Sequence, residues 1–246
     1  MKSIAFYNNK GGVGKTTSVI NIAYQLANDK KVLVIDLDGQ ANCSRFFADD
    51  PKAGLEKAIT TSVITPDIAL CPTRYTNIDV LTATPALNDI VSIFCALSEA
   101  VQRENVEKLL TFSDKYDYIL VDLPPALNKI TERIISVCDY VFVPIELGSF
   151  AIAGISVVTN IIAECGAKFG GCFVNKFDKD NPSDIQLMDL LKESPLGTKA
   201  LNSYIPYSRV VKNSVSYNMT ALEYMWWSPA AECYINLTKE IVGICE

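Results

Sequence analysis

Near its start the chain reads N-N-K-G-G-V-G-K-T-T, Asn8 to Thr17. Three glycines, Gly11, Gly12 and Gly14, stand among two lysines and two threonines. Such a run suits phosphate. Glycines let backbone N–H groups converge without side chains in the way, and a helix opening behind the loop adds the positive end of its dipole. Lys15 is placed to reach the terminal phosphates of a nucleotide, and the Thr16 hydroxyl can ligate Mg²⁺. Without a phosphate, a lysine in the first turn of a helix opposes the dipole. The ordinary spelling G-x-x-x-x-G-K-[ST] would need glycine at position 9, where this chain has asparagine. Lys10 is an additional cation, too early to serve its own loop in the usual way.

Further carboxylates close two apolar runs. V-I-D-L-D-G-Q, Val34 to Gln40, carries Asp36 and Asp38 two residues apart. Beside a magnesium nucleotide, Asp36 suits the outer shell of the metal, and Asp38 suits water positioning or weak base work. Y-D-Y-I-L-V-D-L-P-P, Tyr116 to Pro125, ends its run on Asp122, which would hold Mg²⁺ through water. In C-F-V-N-K-F, Cys172 to Phe177, Asn175 follows an apolar run with an amide that can both donate and accept.

These residues need elements to position them. Short apolar runs at 4–7, 31–36, 79–82, 118–122, 140–145 and 171–175 read as strands. A shorter piece at 204–205 stops before Pro206. Helical periodicity covers 16–27, 98–110, 129–137, 150–164, 183–192 and about 230–244. Nearly all-apolar strands separated by helices describe a mostly parallel, twisted sheet covered on both faces, a three-layer α/β sandwich. Residues 43–77, with Pro51, Pro66 and Pro72, are the least regular and read as loops with a short helix. The 246 residues suit one domain, 1–246.

About half the residues are hydrophobic and a fifth are charged, a globular composition, with a formal net charge of -6. That acidity argues against sequence-blind nucleic-acid binding by the whole surface, but leaves room for a local basic patch. Eight cysteines form no C-x-x-C, and there is no histidine. Most lie in apolar runs and read as small buried hydrophobes, as a reducing compartment allows. No signal peptide or membrane-spanning run is read, so the expected location is the cytoplasm.

Lys10 to Thr17, K-G-G-V-G-K-T-T, resembles the deviant Walker A sequence of the ParA/MinD group of P-loop ATPases, and the likeness extends over about residues 2–242. D-L-D-G-Q resembles the group's D-x-D-P-Q, with Gly39 in place of proline, which implies a more mobile switch. Asp122 to Pro125 matches its D-x-P-P, and Val141 to Gly154 resembles the segment that frames its dimer face. The resemblance implies a P-loop NTPase fold with ATP/ADP and Mg²⁺ as cofactors. Gly11, Gly12, Val13, Gly14, Lys15, Thr16 and Thr17 would cradle the phosphates, and Thr16, Asp36 and Asp122 would surround the metal. Lys15 and Asp38 would serve hydrolysis, joined by Lys10 from across the interface of an ATP-bound homodimer. Asn175 would meet adenine, with the Pro206 backbone beside it. Tyr207 stands either there or on the surface.

Among the group's branches, one iron–sulfur relative needs a cysteine pair for which Cys95 and Cys138 lack the small, glycine-rich surroundings, another needs a C-terminal C-x-x-C that is absent here, and membrane-binding ones need a basic amphipathic tail. Here the tail is Y-I-N-L-T-K-E-I-V-G-I-C-E. The short, Soj-like ParA partition ATPases fit best. They imply non-specific DNA binding by the ATP dimer, nucleoid association and a centromere-binding, ParB-like partner. Lys176, Lys179, Arg209 and Lys212 would form a modest patch for DNA. The alternative is a nucleotide-gated positioning switch that acts without DNA.

Overall fold

The computed structural model describes residues 1–246 except 62, 64, 113, 149 and 150; the side chains of 151–153 are also left out. Its elements in order are β1 (Lys2–Phe6), α1 (Lys15–Leu26), β2 (Val32–Asp36), α2 (Asn42–Phe47), α3 (Leu55–Thr60), β3 (Leu70–Pro72), β4 (Ile78–Leu81), α4 (Val91–Ala96), α5 (Glu99–Thr111) and β5 (Tyr118–Asp122). They continue with α6 (Lys129–Val137), β6 (Tyr140–Glu146), α7 (Ala151–Glu164), β7 (Phe169–Asn175), α8 (Pro182–Glu193), α9 (Arg209–Ser216), α10 (Ala221–Tyr224) and α11 (Pro229–Cys245). Phe150, where the sequence starts the helix now labelled α7, lies outside the described residues.

The strands form one sheet in the order β3-β4-β2-β5-β1-β6-β7. All neighbours are parallel except β3, which runs antiparallel to β4 at the edge. Alternation along each strand feeds two cores. Ala5, Leu33, Ile35, Ile119 and Val121 face α3, α5, α6 and α7. Ile4, Phe6, Val32, Val34 and Leu120 face α1, α2 and α11. The three-layer α/β reading, with a mostly parallel sheet, therefore holds.

Differences from the sequence reading lie at the margins. The segment 43–77 holds α2, α3 and the three-residue β3, whose Pro72 and brevity hid it. The stretch after Pro206 forms α9, capped by the Ser208 hydroxyl. No full strand forms at 204–205: Ile205 donates to the Val174 carbonyl at 2.9 Å, but Pro206 has no N–H to extend a ladder. Among the described residues no helix is long and apolar enough to cross a membrane.

Candidate functional site

The C-terminal tips of β1, β2 and β5 bring the first set of groups together. Register pairs Asp36 with Asp122 and Phe6 with Asp122, so two carboxylates stand side by side next to the loop that leaves β1. That loop opens α1 on Gly14, which has φ 94 and supplies no side-chain cap. By contrast α5, α6, α8, α9, α10 and α11 are all capped by a serine, threonine or asparagine side chain. The first N–H groups of α1 are thus left for another acceptor. Gly14 is also required sterically, since a Cβ there would lie 1.9 Å from Asn175 Nδ2.

Lys15 is 7% exposed, and its ammonium donates to the carbonyls of Asn8 at 2.9 Å and Lys10 at 3.1 Å. Burial lowers its pKa, while Asp122 and Asp38 pull it back up. Asn8 is a residue that sequence reasoning missed. Its amide donates to the Pro144 carbonyl on β6 at 2.8 Å and accepts from the Lys10 N–H at 2.9 Å, which fixes the start of the loop. The Lys10 side chain is exposed and makes no ion pair among the described residues.

Asp36 is fully buried and fully engaged. One oxygen accepts from the Ser44 N–H at 2.8 Å and hydroxyl at 2.7 Å; the other accepts from the Asp38 N–H at 3.0 Å. Ser44 also accepts from the Ala83 N–H at 2.8 Å, so Asp36 ties the D-x-D turn, α2 and the exit of β4 together. Burial pushes its carboxyl up to about 6, against the pull of those hydrogen bonds. Asp122 differs. It is 1% exposed and neither carboxylate oxygen has a hydrogen-bond partner of good geometry. Burial and then the Asp36 charge raise its pKa well above the carboxylate range, while the Thr16 hydroxyl and Lys15 act in the opposite direction. Two buried acids, one of them unpartnered, call for a cation between them. The donors present, carboxylate and hydroxyl oxygens, suit a hard divalent ion such as Mg²⁺.

Asp38 is half-buried at the mouth of the cleft and accepts from the Gln40 N–H at 2.9 Å. Gly39 beside it is packed: the Asn88 amide covers it, and a Cβ would lie 2.4 Å from Asn88 Nδ2. The glycine thus makes room for a packed neighbour beside Asp38.

A cavity of about 460 Å³ continues from the loop toward β7 and α9. Gly12, Gly14, Thr17, Asn175 and Pro206 line it, together with Tyr207, which is 69% exposed. Asn175 is itself a brace: Nδ2 donates to the Val13 carbonyl at 2.7 Å and Oδ1 accepts from the Lys176 N–H at 2.9 Å. One N–H and one lone pair remain for a ligand. The four expected surface cations divide. Lys176 and Lys212 line this cavity, with Lys176 half-buried and paired to Glu146, while Lys212, Lys179 and Arg209 are all exposed.

The AAA domain family profile matches residues 1–170. This chain belongs to that family, within the ParA/MinD group of deviant Walker A P-loop ATPases. It is 29% identical to the chromosome-partitioning ATPase Soj of Treponema pallidum (strain Nichols), covering 98% of this chain and 97% of that protein. Two solved structures share its fold. An ATP complex of a McdA variant from Cyanothece has a TM-score of 0.85 at 19% identity, over 100% of this chain and 98% of that one. The septum site-determining protein MinD of Pyrococcus horikoshii, complexed with Mg-ADP, has a TM-score of 0.79 at 21% identity, over 100% and 98%.

Proposed function

We propose that this ParA-group protein is a Soj-like partition ATPase, one P-loop domain over 1–246, that binds MgATP and hydrolyses it to ADP and phosphate as a homodimer. The observation that carries the reading is Asp122, buried with both oxygens unpartnered beside Asp36, at the foot of an uncapped, glycine-gated helix holding a buried lysine. ATP and Mg-ADP in the two structural relatives support the same ligands here.

In this reading the backbone N–H groups from Gly11 to Thr17 receive the phosphates. Lys15 exchanges its hold on two carbonyls for the phosphate oxygens. Thr16, Asp36 and Asp122 would hold Mg²⁺, whose charge would offset that of the phosphates. Asp38 orients the attacking water. Asn175 and the backbone at Pro206 hold the adenine. The free cation of Lys10 reaches the phosphates of a partner copy, as an arginine finger does, so ATP favours the dimer by linkage. Light scattering of Asp38→Ala should give a monomer with ADP and a dimer with ATP, and adding Lys10→Ala should weaken the dimer. A single mass in every nucleotide state contradicts the reading.

DNA binding by that dimer in the cytoplasm, with release stimulated by a ParB-like protein, belongs to the same proposal. A second reading, a positioning ATPase that works on a protein surface, is favoured by one observation. Lys176, one of the four expected DNA-binding cations, is held by Glu146 at the nucleotide cavity. Retention of DNA by the ATP-trapped dimer at about 50 mM salt, lost by about 200 mM, supports partition. No retention at the lower salt selects the second reading.

A further inference from the structure

Glu146 is the one acidic side chain lining the nucleotide cavity among the described residues, and Lys176, which also lines it, is paired with it. Glu146 ends β6 directly opposite Asn175, the last residue of β7. The next residue, Lys176, turns to φ 58, one of three non-glycine residues with positive φ among those described. Lysine is at home there far less than glycine or asparagine. Two hydrogen bonds enforce the turn: the Lys176 N–H donates to Asn175 Oδ1 at 2.9 Å, and the Phe177 N–H donates to the Ile205 carbonyl at 3.0 Å. The turn delivers Lys176 Nζ to Glu146 Oε2 at 3.0 Å. Both side chains are more than a third exposed, so the pair adds little to stability. Those hydrogen bonds hold the turn, and what it leaves at the cavity wall is an ammonium engaging the one acidic group beside Asn175.

The geometry points to Lys176 as a specificity residue for the base: by holding the Glu146 carboxylate, it makes the cavity favour adenine over guanine. The inference rests on the nucleotide reading above. Guanine presents two adjacent donors, N1–H and the exocyclic amine, and a free carboxylate accepts both at once. Adenine presents an acceptor at N1, which a free carboxylate repels. A carboxylate already paired with an ammonium offers guanine less and repels adenine less, so the selection works partly against the wrong base.

The test is steady-state hydrolysis with MgATP and with MgGTP. The variants are Lys176→Met, which keeps length and loses charge, and Lys176→Asn, which suits the backbone turn. Each is also combined with Glu146→Gln. The ATP-to-GTP ratio of kcat/KM should fall by on the order of tenfold in both lysine variants, through a gain with GTP. Glu146→Gln should remove that gain. A ratio unchanged in both lysine variants, or a fall that survives Glu146→Gln, overturns the inference and leaves ATP use standing. A wild-type protein that hydrolyses neither nucleotide overturns the nucleotide reading and this inference together.

Discussion

In the proposed function, the two ends of the cleft meet one nucleotide by different constructions. At the phosphate end, the working groups leave the tips of the adjacent strands β2, β5 and β1, and Lys15, Asp36 and Asp122 are all buried. At the base end, they come from the turn after β7, the run at Pro206 and the first turns of α9. There Tyr207 is exposed and Lys176 is half-exposed. The burial that makes charge forceful at the first end also makes it costly there. At the second end, selection rests on which polar groups are already engaged. Asn175 joins the ends, with one atom on the phosphate loop and another on the Lys176 turn.

Breaking the phosphate end should have the largest effect. Lys15→Ala removes a buried cation from the reacting phosphates, so hydrolysis should fall by about 10²–10³ in kcat, read by phosphate release. Residual turnover within a few-fold of wild type would move the chemistry elsewhere.

The buried acids should also show in the pH dependence of stability. Burial pushes the Asp36 carboxyl up to about 6 in the folded protein, above its unfolded value. Its contribution is therefore complete at low pH and is lost as pH rises through about 6, and Asp122, also raised, adds in the same direction. For Asp36 alone this amounts to roughly 1.5 kcal/mol between pH 5 and pH 8, a similar share being lost below pH 5. With nucleotide omitted and magnesium chelated, thermal unfolding should give a higher Tm at pH 5 than at pH 8. The difference should shrink in Asp36→Asn.

Cutting the joint should cost less. Asn175→Ala leaves the Val13 carbonyl and the Lys176 N–H without their partner, worth about 1–3 kcal/mol in urea unfolding, and should weaken nucleotide binding. The smallest effect belongs to Tyr207→Ala. An exposed ring at the rim should shift the KM for ATP by less than about twofold. A tenfold rise would place that ring over the base.

Legibility followed the same division. The phosphate loop could be read because it is one contiguous segment in which Gly14, Lys15 and Thr16 have fixed spacing. Asp36 and Asp122 could be read because each ends an apolar strand. Asn8 was missed because what it does depends on a partner far away in sequence, Pro144. The Glu146–Lys176 pair was invisible for a similar reason: the register between β6 and β7 is set by packing. A positive φ at a lysine also has no sequence signal. α9 went unread because Pro206 marks a break and R-V-V-K-N-S-V-S has too short an apolar face to announce a helix. β3 is a three-residue edge strand ending on proline, below what alternation can reveal.

The most direct test of the account is the rate of phosphate release at saturating ATP, with magnesium and with the metal chelated, for wild type and Asp122→Asn. The wild-type protein should release phosphate only with magnesium, and the isosteric variant should be slower by at least about tenfold. Equal rates in the two proteins, or undiminished release without magnesium, would contradict the assignment of the buried, unpartnered carboxylate to the metal.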